Sequence, residues 1–446
     1  MADATKKDIE WVLKQCKDMK VSFINLWFTD VLGMLKSFAL TPGELEGALR
    51  EGMGFDGSSI EGFARIEESD MIAVPDPQTL AILPWRPQDG AVARLICDLR
   101  LPGGKPYPGD PRYALRRMLE RAAEKGYSFY VGPELEYFYL KDDSTRLETL
   151  DRGGYFGLTP QNLAVDMRRQ TIEALQCMGI HVEYSHHEVA SSQHEIDLRY
   201  TEALRMADHT QTYRQAVKEV AAMNGAYATF MPKPLFAENG SGMHVHQSLF
   251  RGEANAFFDA SDPDSLSGEG KHYIAGLLKH APEYCAVIAQ WANSYKRLVP
   301  GYEAPCYICW GHRNRSAMVR VPMYKPGQEK ATRAELRSPD PACNPYLAFA
   351  VMLAAGLKGI EEGYDLPEPV EMDVYGLSAT ELEARNIQSL PRDLGHAIDI
   401  CEKSDLVREA LGDHIFEKFI ENKKIEWDNY RIRVTSYELE KYLPIL

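Results

Sequence analysis

Gly132-Pro133-Glu134-Leu135-Glu136-Tyr137-Phe138 alternates charge with bulk at every second position. Successive side chains of a strand point to opposite faces, so Glu134 and Glu136 share one face while Leu135 and Tyr137 occupy the other. Such a strand turns one side to a core and the other to an open site. Carboxylates held side by side repel one another unless a cation lies between them. A solvated strand face is the ordinary alternative for this segment taken alone.

The segments downstream bear on that choice. His186-His187-Glu188 and, further on, Gln193-His194-Glu195-Ile196-Asp197 add oxygen ligands of the kind Mg²⁺ or Mn²⁺ prefers. In Asn239-Gly240-Ser241-Gly242-Met243-His244-Val245-His246-Gln247-Ser248 a glycine turn leads into a strand with His244, His246 and Ser248 on one face. Arg333-Ala334-Glu335-Leu336-Arg337 sets a carboxylate between two guanidiniums, which recognise carboxylate or phosphate in a planar, bidentate manner. Between these runs a Pro/Gly-bounded loop, Asn293-Ser294-Tyr295-Lys296-Arg297-Leu298-Val299-Pro300-Gly301-Tyr302-Glu303-Ala304-Pro305, suited to closing over a site. Arg313, Arg315 and Arg320 follow, with charge enough to neutralise a triphosphate. Each cluster alone is weak evidence, but together they point to a metal-dependent phosphoryl-transfer enzyme. Gly52-Met53-Gly54-Phe55-Asp56-Gly57 matches GxGxxG in form, yet it follows a helix-like stretch, Pro42 to Glu51, where a dinucleotide site needs a strand. There is no Walker A sequence, so a nucleotide must be held by metals and arginines.

At 446 residues and 45% hydrophobic content the chain is long enough for two domains. The net charge of −15 disfavours direct nucleic-acid binding. The longest apolar run, Tyr346 to Leu357, falls short of the roughly 20 residues that span a bilayer, and the first residues carry no apolar signal run. The expectation is a cytoplasmic protein with no membrane contact. Eight scattered cysteines suit reduced thiols, and the lone Cys306/Cys309 pair reads as core. Helices are predicted over Lys6 to Asp18, from Asp110-Pro111 through Lys125, over Asp166 to Met178 and Thr201 to Asn224, and from Asn344-Pro345 onward, the last buried nearly all round. Strands are predicted at Val21 to Phe28 and Ala91 to Asp98. A Pro/Gly-rich break places the domain boundary near Gly104, dividing the chain into residues 1–103 and 104–446.

These segments, with Phe55-Asp56-Gly57-Ser58-Ser59, resemble the type I glutamine synthetases over essentially the whole chain, in their shorter subtype. The resemblance implies an α+β protein: an N-terminal β-grasp domain and a C-terminal catalytic domain on an antiparallel sheet flanked by helices. It further implies a homododecamer of two hexameric rings, with each active site completed by a neighbour's N-terminal domain. The implied reaction is ATP-dependent ligation of ammonia to the γ-carboxylate of L-glutamate through γ-glutamyl phosphate. Carried over by position, Glu136, Glu188 and Glu195 match a first metal site, and Glu134, His244 and Glu335 a second, for two to three Mg²⁺ or Mn²⁺ ions. Asn239, Gly240, Arg297, Glu303 and Arg337 match glutamate contacts. His246, Ser248, Arg315, Arg320, Lys330 and Arg333 match ATP contacts. Asp56, Ser59, Tyr155 and Glu188 correspond to the ammonium site; Asp56, Glu303 and Arg315 carry catalytic roles, with Glu303 on a closing flap.

Arg65 matches the position tied to glutamine feedback inhibition in the short subtype. Tyr375 aligns with the adenylylated tyrosine of the long subtype, but its Tyr-Gly-Leu-Ser context argues against that modification here. The alternatives are a γ-glutamyl ligase of the same family acting on an amine, against which the retained Asp56-Gly57-Ser58-Ser59 and Tyr155 speak, and a non-catalytic relative, against which the complete ligand set speaks. Contact with nitrogen-regulatory proteins is compatible with the sequence.

Overall fold

The computed structural model describes residues 5–58, 70–87, 89–158, 162–323 and 325–446. The opening helix, Lys6–Asp18, forms where its pattern predicts: Thr5 and Asp8 cap each other reciprocally, and Ile9, Val12 and Cys16 turn inward. A first sheet contains β1 (Phe23–Thr29), β2 (Leu35–Leu40), β3 (Met53–Asp56), β4 (Asp70–Pro75), β5 (Ala81–Ile82) and β6 (Val92–Arg100). Its order is β2-β1-β6-β4-β3, with β5 beside β6. β1 and β6 run parallel and the other pairs antiparallel, the β-grasp arrangement. The GxGxxG look-alike runs from helix Leu45–Glu51 straight into β3, so the motif opens a strand where a dinucleotide site needs it to open a helix.

The second sheet is built on β7 (Ser128–Leu140), β8 (Val182–His187), β9 (Gln193–Leu198), β10 (Thr201–Glu202), β11 (Tyr227–Thr229), β12 (Met243–Arg251) and β13 (Ala254–Asn255). β14 (Tyr307–Ile308) stands apart from it; β15 (Trp310–Gly311), β16 (Val319–Arg320) and β17 (Ala334–Leu336) extend it, and β18 (Gln388–Ser389) pairs with β14. Its path among the described residues is β15-β16-β17-β12-β7-β9-β8, antiparallel except for β15 with β16. Helix Ala203–Met223 lies behind it, with the Tyr213 hydroxyl donating to the Leu135 carbonyl at 3.0 Å. Helix Pro345–Glu362 starts at Asn344, whose side chain accepts from the amides of Tyr346 and Leu347, and it is buried on nearly every side as its composition predicts. The chain is thus α+β, with a β-grasp domain followed by a larger domain built on a mainly antiparallel sheet and its helices. Among the described residues no helix is long and apolar enough to cross a membrane.

A buried ion cluster ties the two sheets together. Arg112, capped in place by Asp110 at the start of helix Pro111–Glu124, reaches Asp208 at 2.9 Å, Asp76 at 2.8 Å and Asp98 at 2.5 Å. Tyr346 donates to the same Asp208 at 2.7 Å. Removing one partner of a buried ion pair leaves the remainder uncompensated, which costs roughly 3–5 kcal/mol. Arg112→Met is therefore expected to lower the denaturation midpoint sharply in urea titrations followed by circular dichroism; an unchanged midpoint would show the cluster to be dispensable.

Candidate active site

Strand register converts the sequence clusters into rows. Glu134 on β7 lies opposite His244 on β12 and Asp197 on β9. One step along, Glu136 lies opposite Glu195, which in turn faces His186 on β8. On the other flank Glu335 of β17 is the partner of both His246 on β12 and Arg320 on β16. Because side chains alternate, these rows project from the same face of the sheet.

That face forms the floor of a cleft of about 810 Å³ lined by Glu134, Glu136, Tyr155, Glu188, Glu195, Asn239, Gly240, His244, Arg297, Glu303, Arg315, Arg320 and Arg337. Glu335 sits beneath the cleft, 1% exposed, hydrogen-bonded to Arg337 at 2.6 Å and ion-paired with Arg320 at 3.0 Å. A second cavity of about 330 Å³ collects His246, Ser248, Lys330 and Arg333 with Tyr130, Tyr184 and Tyr200. Arg315, Arg320 and Arg333 also line a third cavity, of about 520 Å³, between the two. Lys330 itself is paired with Glu253 at 2.7 Å on the surface.

The carboxylates are crowded. Burial, and then Glu188, push the Glu136 carboxyl up to about 8. Burial, then Asp197 and Glu136, raise Glu195 well above the ordinary range. Glu134 is the exception: burial works upward on it, but His246 and His244 hold it well below its ordinary value. Oxygen donors forced this close, without enough protein cations to neutralise them, fit divalent cations. Groups of ligand-capable atoms lie at His186, Glu188 and Glu195, and at Glu134, His246 and Glu335.

Hydrogen bonding separates the two histidines of β12. Arg333 Nε donates to His246 Nδ1 at 3.0 Å, so the ring proton is on Nε2, which donates to Glu134 at 2.6 Å. In this state His246 relays between Arg333 and Glu134. His244, with Nδ1 at 3.3 Å from Glu134 and 4.0 Å from Glu335, is the more available ligand. A further cluster of Asp151, His187 and His194 is fully buried, but the Arg168 guanidinium donates to His194 Nδ1 at 2.7 Å. The other nitrogen of His194 then carries a proton, and that cluster suits a hydrogen-bond network better than an ion. It pins Glu188, whose carbonyl lies 2.6 Å from His187 Nδ1.

Arg297, on the wall of the cleft, is held in a fixed pose. Arg297 donates to the carbonyls of Ser338 at 2.9 Å, Pro339 at 3.1 Å and Arg337 at 3.0 Å. Its approach requires glycines: a Cβ on Gly242 would lie 2.6 Å from Arg297 Nη2, and one on Gly240 2.4 Å from the Pro232 carbonyl. Sequence reading missed Gln193, which donates to Glu136 at 2.9 Å and to the Gly240 carbonyl at 3.0 Å, and it gave His186 no role. Only their place beside Glu195 in the 193–197 run and beside Glu188 hinted at them.

Asp56 is not among the residues lining the cleft. It stands exposed at the end of β3, held below the usual carboxylate range by hydrogen bonds from Ser58, side chain and then backbone. Ser59 and Arg65 lie outside the described residues.

Rows of carboxylates facing a wall of arginines define a class of protein: an enzyme equipped to hold divalent cations against phosphate. Residues 20–102 match the family model described as glutamine synthetase, beta-Grasp domain, and residues 108–442 match that of glutamine synthetase, catalytic domain. The glutamine synthetase of Mycolicibacterium smegmatis is 53% identical over 98% of this chain and 99% of its own, and that of Methanosarcina mazei is 51% identical over 99% and 98%. Among solved structures, the ADP complex of a protein designated GmaS superposes with a TM-score of 0.88 at 30% identity, covering 97% of this chain and 99% of that one. The Plasmodium falciparum glutamine synthetase gives 0.87 at 25% identity over 99% and 100%. The chain belongs to the glutamine synthetase family.

Proposed function

We propose that the protein ligates ammonium to the γ-carboxylate of L-glutamate at the cost of ATP, yielding L-glutamine, ADP and phosphate. The observation that carries this reading is the single cleft in which Glu134, Glu136, Glu188 and Glu195 face Arg297, Arg315, Arg320 and Arg337. A carboxylate is a poor electrophile, so the γ-carboxylate first takes the γ-phosphoryl group of ATP. Divalent cations held by Glu136, Glu188 and Glu195, and by Glu134, His244 and Glu335, would neutralise charge on the phosphate oxygens. Arg315, Arg320 and Arg333 add positive charge along the phosphate path, and stabilisation of this kind is the main protein contribution to phosphoryl transfer.

The small cavity with Tyr130, Tyr184 and Tyr200 beside His246 and Ser248 supports a base-and-ribose site for the nucleotide, with the phosphates pointing to Arg333. Arg297 and Arg337, fixed by their carbonyl and carboxylate partners, present positive charge to the carboxylates of glutamate, with Asn239 beside them. Ammonium enters near Tyr155 and Glu188, loses a proton to Asp56, and attacks the acyl phosphate as ammonia. Glu303 closes over the intermediate and keeps water out. The exposure of Asp56 in one chain supports active sites shared between neighbouring subunits of a homododecamer. The free cysteines, buried except for Cys177, fit a reducing cytoplasm.

The test is phosphate release from ATP and glutamate with Mg²⁺, comparing ammonium with a panel of primary amines. Release with ammonium and formation of glutamine is the expected result; release only with an amine would move the function to γ-glutamyl amide synthesis.

A further inference from the structure

The loop that carries Glu303 has an anchor the reaction chemistry does not account for. Glu303 adopts φ +54° and Gly301 φ +92°. For a glutamate this left-handed conformation needs support from its neighbours. Lys233 Nζ sits 3.8 Å from the ring centre of Tyr302, and Asn239 donates to Glu303 at 3.4 Å. At the far end of the loop the Tyr375 hydroxyl donates to the carbonyl of Ala304 at 2.7 Å. Ala304 is 1% exposed, and its carbonyl also accepts from the weakly donating thiol of Cys306 at 3.3 Å.

Tyr375 belongs to a segment, residues 370–376, that also holds the arginine loop. Asn314 Nδ2 donates to the carbonyls of Val370 at 2.8 Å and Met372 at 2.7 Å, and the Val374 amide donates to Ser316 Oγ at 3.1 Å. The Glu371 carboxylate accepts from the amides of His312 at 2.8 Å and Arg313 at 3.1 Å. The same short segment therefore grips the flap at Ala304 and the loop bearing Arg315, and Tyr375 itself lines the cleft.

We propose that Tyr375 is a positioning residue: its hydroxyl latches the C-terminal end of the flap, so that Glu303 is held closed in register with Arg315. The inference rests on the reading that Glu303 shields an acyl phosphate. When the latch is lost, water oxygen attacks the γ-carbonyl carbon, the bond from that carbon to the phosphoryl oxygen breaks, one proton of the water passes to the leaving phosphate and the other to solvent, and phosphate and glutamate are released without an amide.

The experiment compares wild type, Tyr375→Phe and Tyr375→Leu, measuring phosphate and glutamine together, with ATP, glutamate and Mg²⁺, in the presence and absence of ammonium. Tyr375→Phe keeps the ring and removes the hydroxyl. It is expected to raise ammonium-independent, glutamate-dependent phosphate release roughly three- to tenfold, the change in flap opening that corresponds to losing one net hydrogen bond. Amide exchange over residues 299–305 should quicken in the same variant. A Phe variant matching wild type in both readouts, with only Leu leaking, would reduce Tyr375 to packing and overturn the proposal. Failure of the proposed reaction would show separately, as wild type that forms no glutamine from ammonium.

Discussion

Glu136→Gln is expected to abolish metal-supported turnover while leaving the metal-free protein at least as stable as wild type. Glu136 is buried opposite Glu195 and close to Glu188, and burial with that like charge drives its carboxyl from 4.5 to about 8. A carboxyl raised in the folded state contributes stability that is complete below its unfolded value and is lost as pH rises through its folded value. Metal-free wild type should therefore lose stability between about pH 4.5 and pH 8, and the isosteric amide should remove that part of the slope. Cation affinity runs the other way: it rises with pH over the same window, because fewer protons have to be displaced. Thermal unfolding of both proteins across this range, with chelator and with Mg²⁺ or Mn²⁺, tests each limb. Loss of one charged ligand should weaken ion binding on the order of 100-fold or more. A variant that keeps the full metal-induced rise in unfolding temperature would remove Glu136 from the metal site.

The faces of the strands were legible in the sequence, but their neighbours were not. Alternation placed Glu134 with Glu136 and His244 with His246, because period two follows from local geometry. That Glu136 meets Glu195, or that Glu335 meets both His246 and Arg320, depends on register between strands distant in the chain. The motif resemblance supplied what spacing could not. Partners with no pattern of their own stayed hidden. Asp76, Asp98 and Asp208 lie far apart in the chain with no motif to join them, yet they share the buried Arg112. Gln193 carries no charge to attract notice, and it braces Glu136. Helices were easier: the Asp110 and Asn344 caps and the apolar run after Asn344 fixed their starts from local chemistry.

Asp56 poses the sharpest question, because its motif is intact and its carboxylate stands outside the cleft of its own chain. If the site is shared, Asp56→Ala and Arg337→Ala should each be nearly inactive as separate proteins, and oligomers reassembled from both should regain activity. An active site in such a mixture needs an intact cleft from an Asp56→Ala subunit and an intact Asp56 from its Arg337→Ala neighbour. Random mixing in equal parts satisfies both conditions at about a quarter of the sites, so recovery should approach about a quarter of wild-type turnover. Arg337 suits the second lesion because it lies deep in the cleft, 6% exposed. It also holds Glu335 at 2.6 Å, so its loss leaves that buried carboxylate unpaired and, on the proposed reading, removes a glutamate contact as well. Co-expression with two affinity tags, purification of the doubly tagged oligomer and assay of glutamine formation measure the recovery directly. Heteromers no more active than either parent would place Asp56 within reach of its own cleft through a rearranged β-grasp domain. Recovery near the random-mixing value would make the neighbouring subunit the source of the base, and would tie ammonium chemistry to assembly.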